Sequence, residues 1–210
     1  RSPACTTPLD RRCGTSSSKH EMSDEGYAEL VHPSVYIKAK LKDRNNEYLL
    51  IWTTTEWTLS SNIVAAVNPD FVYAKVKKDD ATYYLAEAAL GKLGLDYTLL
   101  QRLKGKELDG LEYESFYPDF HVQKNLKHFV ILWEGVGESD GTGIVHIAPS
   151  CGDVDYELGK KLHLTLLPSA LDEFGNYTQG YGWLTGKNVK DAKKEIVAEL
   201  DRRHILYSVE

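Results

Sequence analysis

The sequence predicts a mixed α/β domain that is mainly β, built as a β-barrel with peripheral helices. Strand patterns crowd at short intervals between Ser34 and Ile147, whereas only about three segments carry helical spacing. Of the 210 residues, 42% are hydrophobic and 10% aromatic. That length suits one large domain, or one domain with an appendage, able to bury about two-thirds of its unfolded surface.

Residues 1–24 hold Pro and Gly breakers and the Ser run 16–18 and read as loop, so residues 1–30 are a linker and 31–210 the domain. Val35 to Leu41 alternates apolar and polar positions, as a half-buried strand does. Tyr48 to Trp52 is continuously apolar and is entered from Asp43-Arg44-Asn45-Asn46, which predicts a hairpin with the preceding strand. Ile63 to Val67 and Phe71 to Lys77 are expected to pair around Asn68-Pro69-Asp70. Leu85, Ala88, Ala89 and Leu93 predict a helix over 82–93 with Gly94 as its stop. Phe129 to Trp133 and Gly143 to Ile147 read as strands flanking the polar loop 134–142, and 153–162 as a short helix. Val189, Ala192, Ile196 and Leu200 share one face of a final amphipathic helix, expected to run almost to Glu210. Arg1 at the start and that helix at the end predict that both ends are cuts through a longer chain.

Composition narrows function. With 25 Lys+Arg against 31 Asp+Glu, the net charge of −6 argues against wrapping a nucleic acid broadly, though not against gripping one strand end. No apolar run approaches the ~18 residues of a membrane span, so no membrane partner is expected. Cys5, Cys13 and Cys151 are too few for a disulfide framework, which makes a reducing cytoplasm the expected location.

Two segments could carry chemistry. Trp52 to Asn62 packs four threonines, two serines and an asparagine into eleven residues, a supply of uncharged donors and acceptors able to hold water and a ribose. Composition alone favours a Ser/Thr-rich turn with no function, since hydroxyl-rich turns are commonplace. Gly141 to Asp155 runs from strand through loop to an acidic helix start. Taken singly, His146 reads as a structural histidine and Asp153 or Asp155 as a helix cap. Gly141-Thr142-Gly143 precedes a strand rather than opening a helix, which excludes a phosphate loop.

Together, Thr53-Thr54-Thr55-Glu56-Trp57-Thr58-Leu59-Ser60-Ser61-Asn62 and Gly141-Thr142-Gly143-Ile144-Val145-His146-Ile147-Ala148-Pro149 resemble the two signatures of the editing domain of class I isoleucyl-tRNA synthetases. The resemblance covers roughly 30–207. Related valyl and leucyl enzymes carry arginine at the position of Thr55, which points to the isoleucyl branch. Glu56 and Ser60 stand where the family has prolines, and Val154 replaces the first acid of its usual pair. Some members carry a half zinc knuckle near the start. Cys5, Cys13 and His20 lack its spacing and fall short of four ligands, so no metal is expected.

The resemblance implies editing. Isoleucine and valine differ by one methylene, worth about 1–3 kcal/mol in a pocket, too little for selection by binding alone. The domain would hydrolyse valyl-tRNA(Ile) after transfer, and the valyl-adenylate before it, by a positioned water. Thr53, Thr54, Thr55 and Asn62 would orient that water and the terminal adenosine. Asp155 would grip the α-ammonium, His146 would gate by bulk, and Trp57 would pack beside the pocket or the adenine. No cofactor is implied for this domain. ATP and Mg belong to aminoacylation by the parent enzyme, whose ATP-binding signatures are absent here. The implied partners are the tRNA(Ile) acceptor end carrying valine and the remainder of the synthetase. Two other readings stay open: a non-catalytic insertion that only positions the acceptor end, and a small-ligand β-barrel.

Overall fold

The computed structural model describes residues 9–10, 15–16, 34–91, 96–137 and 141–210. The chain divides into two compact units, Arg1–His32 and Pro33–Glu210. In the first, β1 (Leu9–Asp10) pairs antiparallel with β2 (Thr15–Ser16), a short ladder where composition predicts only loop. The rest of the expected 1–30 linker lies outside the described residues, as do Cys5, Cys13, His20 and Gly94.

The second unit runs β3 (Val35–Lys40), β4 (Glu47–Thr53), β5 (Val64–Val67), β6 (Val72–Lys78), β7 (Ala81–Ala86), β8 (Thr98–Lys104), β9 (Glu112–Tyr113), β10 (His128–Leu132) and β11 (Ile144–Ile147). Helices α1 (Asp153–Lys161) and α2 (Val189–Arg202) follow, then β12 (Leu206–Val209). β4 organises the sheet. Its residues Tyr48–Thr53 pair antiparallel with the whole of β3, as the hairpin pattern predicts. Its other edge is shared: Glu47–Leu49 pair parallel with β7, and Trp52 pairs parallel with Val145 of β11.

From that fork β7, β6 and β8 extend as a wing, while β11, β5, β10 and β9 curl round. The curl meets the start through the Leu41–Tyr113 bridge and two backbone bonds, Lys42 N–H to Glu112 O (2.9 Å) and Glu114 N–H to Lys40 O (2.8 Å). The expected barrel-like architecture is therefore present. Val35, Ile37, Ala39 and the run Leu49–Ile51 fill the main core. α2 buries Ala192, Ile196 and Leu200 at four-residue spacing, and each large aliphatic contributes roughly 1.5–3 kcal/mol. Asn188 caps it by accepting from the Lys190 N–H at 3.2 Å.

Three expectations fail. β5 and β6 are strands but not partners: β5 lies between β10 and β11, and β6 between β7 and β8. Asn68 explains the divergence, since its amide donates to the Glu134 and Val136 carbonyls and ties the turn to the 134–136 loop. The helix expected from Thr82 is β7 followed by a single 3-10 turn, Glu87–Ala89. Thr82, Tyr83 and Tyr84 suit a pleated surface, and Asp79 adopts φ +52° in the hairpin turn that pairs Lys78 with Ala81. The last helix ends at Arg202, after which β12 pairs antiparallel with β3. Among the described residues, no helix is long and apolar enough to cross a membrane.

Candidate active site

Because β4 and β11 run parallel as neighbours, their C-terminal ends open on the same side of the sheet. β4 delivers Thr53 there and continues through Thr54 and Thr55 into a 3-10 turn, Glu56–Ser61. β11 delivers His146, and the chain returns through Ala148–Gly152 into the first turn of α1, which carries Asp155. These segments enclose a cleft of about 390 Å³ lined by Thr53, Thr54, Thr55, Trp57, His146 and Asp155, together with Thr58 and Cys151. Six of the seven residues singled out from sequence thus converge.

Asn62 does not join them. It is buried below the turn, where its amide donates to the Val64 carbonyl (3.0 Å) and its Oδ1 accepts from the Tyr113 hydroxyl (2.8 Å). Gln123 braces the same corner, donating to the Ser60 carbonyl at 2.9 Å.

The hydroxyls form a network. Thr58 donates to the Thr55 carbonyl at 2.7 Å, which uses its only proton, so it accepts from His146 Nε2–H at 2.9 Å. Thr55 N–H donates to Thr53 Oγ1 at 3.1 Å, and the Thr53 and Thr55 hydroxyls lie 3.3 Å apart. That pattern assigns the Nε2–H tautomer, leaving Nδ1 buried and unpartnered among the described residues. Burial pushes the imidazole down to about 4, so it is neutral. A neutral histidine spending its proton on a buried hydroxyl is a poor base, and Thr58 a poor nucleophile. Thr58 escaped the sequence reading, although its spacing of three from Thr55 is what aligns side chains on a 3-10 turn.

Asp155 supplies a carboxylate facing the cleft. Its Oδ2 accepts from the Ala148 N–H at 2.8 Å, while burial raises its pKa more than that bond lowers it. The site therefore has hydroxyls to orient a neutral oxygen and one carboxylate to pair with a cation. Burial also raises the Cys151 thiol, which keeps it protonated. Among the described residues, no group of three or more His, Cys, Asp or Glu is arranged to hold a metal ion.

No protein-family model matches the chain. The chain is similar to isoleucine–tRNA ligases: 39% identical over 203 residues to that of Picrophilus torridus, covering 97% of this chain and 19% of the relative. Identity to the Methanothermobacter thermautotrophicus enzyme is 39% over 197 residues, covering 93% and 18%. The Clostridium kluyveri enzyme is 37% identical over 203 residues, covering 97% and 19%. The chain thus spans about a fifth of the length of these relatives. Among solved structures, GlLeuRS-CP1 superposes with a TM-score of 0.69 at 16% identity, covering 84% of this chain and 99% of that one. The cytosolic leucyl-tRNA synthetase editing domain of P. falciparum gives 0.65 at 13% identity, covering 86% and 100%.

Proposed function

We propose that this chain, a homologue of isoleucyl-tRNA synthetases over one segment of their length and an editing domain in its fold, hydrolyses aminoacyl esters that carry the wrong amino acid. The substrate is valyl-tRNA(Ile), with valyl-adenylate, a mixed anhydride whose leaving group is the phosphate of AMP, as a second target. A single observation carries the reading: Thr53, Thr54, Thr55, His146 and Asp155 line one cleft although they come from three separated elements.

In this reading Asp155 pairs with the α-ammonium of the bound aminoacyl group, a charge-assisted contact that offsets the cost of burying the carboxylate. His146 bounds the space for the side chain, and the wider isoleucyl group is excluded by bulk. The threonine hydroxyls orient a water toward the ester carbonyl, and the contribution is one of orientation. The water oxygen bonds to the carbonyl carbon and the tetrahedral intermediate expels the ribose oxygen. The proton lost by water ends on that oxygen, giving free valine and an intact tRNA 3′ end. Asn62 acts at one remove by fixing the corner of the turn, and Trp57 offers its ring to the terminal adenosine. No step is assigned to a metal.

The tRNA acceptor end and the remainder of a longer synthetase are the partners this reading requires. ATP, Mg and ligation of isoleucine belong to that remainder, and the cytoplasm is the compartment. The hydroxyl network survives despite Glu56 and Ser60 at the proline positions, which favours hydrolysis over a merely positioning insertion.

The experiment is a deacylation assay with the intact protein, using valyl-tRNA(Ile) and isoleucyl-tRNA(Ile) side by side. Rapid release of valine with isoleucyl ester left standing is expected. Equal persistence of both esters refutes the reading.

A further inference from the structure

We infer that Lys193 of α2 is a positioning residue for the threonine turn, acting through Glu56, an inference that rests on the hydrolysis proposed above. The two ends of the 3-10 turn are held differently. Its far end is pinned by neutral hydrogen bonds: Gln123 to the Ser60 carbonyl, and the Tyr181 hydroxyl 3.0 Å from Ser61 Oγ. One residue after Glu56, the Tyr177 hydroxyl donates to the Trp57 carbonyl at 3.1 Å, which leaves the first residue of the turn to be held through its side chain. Its near end, which carries Thr55 into the cleft, begins with Glu56.

The Glu56 side chain is only 4% exposed, and its sole ion-pair partner among the described residues is Lys193 Nζ at 3.8 Å. An acidic side chain buried at the first position of such a turn is unexpected unless it is paired. The pairing also fits the helix packing, because α2 lies directly against this turn. A proline at 56 would fix φ by covalent geometry and give up little, since the first residue of a helix has no intrahelical acceptor for its N–H. In this chain a charge contact to α2 fixes the same point from outside. Removing Lys193 leaves a buried acid without its cation, and the turn must shift to hydrate it. That shift moves Thr55 and Thr58 together, because Thr58 is bonded to Thr55. Lys193 never touches the cleft, so its effect falls on orientation of the water and not on substrate binding.

The test compares Lys193→Gln, Lys193→Arg, and Lys193→Gln combined with Glu56→Pro in the intact protein. Lys193→Gln is expected to lower kcat for valine release from valyl-tRNA about tenfold with KM within about twofold. Lys193→Arg keeps the charge and the rate, and Glu56→Pro in the Lys193→Gln background restores kcat. Unchanged kcat in Lys193→Gln, or no rescue by Glu56→Pro, overturns the inference. If the unmutated protein releases no valine, the hydrolysis itself is refuted. Amide hydrogen exchange at Trp57–Leu59 then decides on Lys193, with faster exchange in Lys193→Gln expected and unchanged exchange overturning its role.

Discussion

His146 Nε2 stands 2.9 Å from the Thr58 hydroxyl, and that single bond joins β11 to the turn that follows β4. Thr58→Val keeps the shape but removes the acceptor at 2.9 Å, leaving the buried His146 Nε2–H only the Thr53 hydroxyl at 3.5 Å. A loss of about 1–3 kcal/mol in denaturant-unfolding stability is expected. Thr58→Ser retains the oxygen and should lose much less.

The pH dependence of stability follows from two buried histidines. Burial holds both His128 and His146 at about 4 in the folded chain, against about 6.5 when unfolded. Between those values the folded chain therefore binds fewer protons than the unfolded chain. Stability from this source is fully present above about 6.5 and is lost as pH falls through 4, by roughly 3 kcal/mol per histidine. Urea unfolding at pH 7 and pH 5 reads this, and a flat profile contradicts it.

Asp155 has the opposite sign. Its folded pKa is raised, so its contribution to stability is greatest at low pH and declines as pH rises through the folded value. Asp155→Asn can still accept from the Ala148 N–H. It is expected to be more stable than the parent chain at pH 7 by thermal unfolding while losing hydrolysis, a trade of stability against function.

Gly141 adopts φ +54° with its backbone against the Trp52 ring, so a Cβ there would overlap the ring. Gly141→Ala combines backbone strain with a displaced tryptophan at the cleft wall. A loss of about 1–3 kcal/mol is expected, with a shifted tryptophan fluorescence maximum as the second readout.

Much of this arrangement was legible before the structure. The alternation of Val35–Leu41 and the apolar run at 48–52 specify β3 and β4, and the four-residue spacing of Ala192, Ile196 and Leu200 specifies α2. Local signals fail where tertiary partners decide. Leu85, Ala88 and Ala89 happen to sit at helical spacing, yet the tyrosines before them pair with β6 and β4. β5 is buried on every residue because both its faces are covered, Val64 and Ala66 in one apolar cluster and Ala65 and Val67 in the other, and nothing local to Ala65-Ala66-Val67 names the two strands that flank it. In the cleft, the threonines, Trp57, His146 and Asp155 were readable as motif positions. The burial of Asn62, the tautomer of His146 and the reach of Lys193 to Glu56 depend on contacts between residues more than fifty apart in sequence or on packing that periodicity does not encode.

Discrimination by size is tested by His146→Ala. Opening the wall is expected to let isoleucyl-tRNA(Ile) be deacylated at a rate approaching that of the valyl ester. Continued rejection of the isoleucyl ester, with the valyl ester still cleaved, removes His146 from the role of gate.

The most direct measurement is the rate of valyl-tRNA(Ile) deacylation by Asp155→Ala relative to the unmutated protein. If one carboxylate anchors the amine, kcat/KM falls by about a hundredfold or more, in line with the loss of a charge-assisted contact in a partly buried site. Turnover equal to that of the unmutated protein means the amine is held elsewhere, and the account of this cleft is wrong.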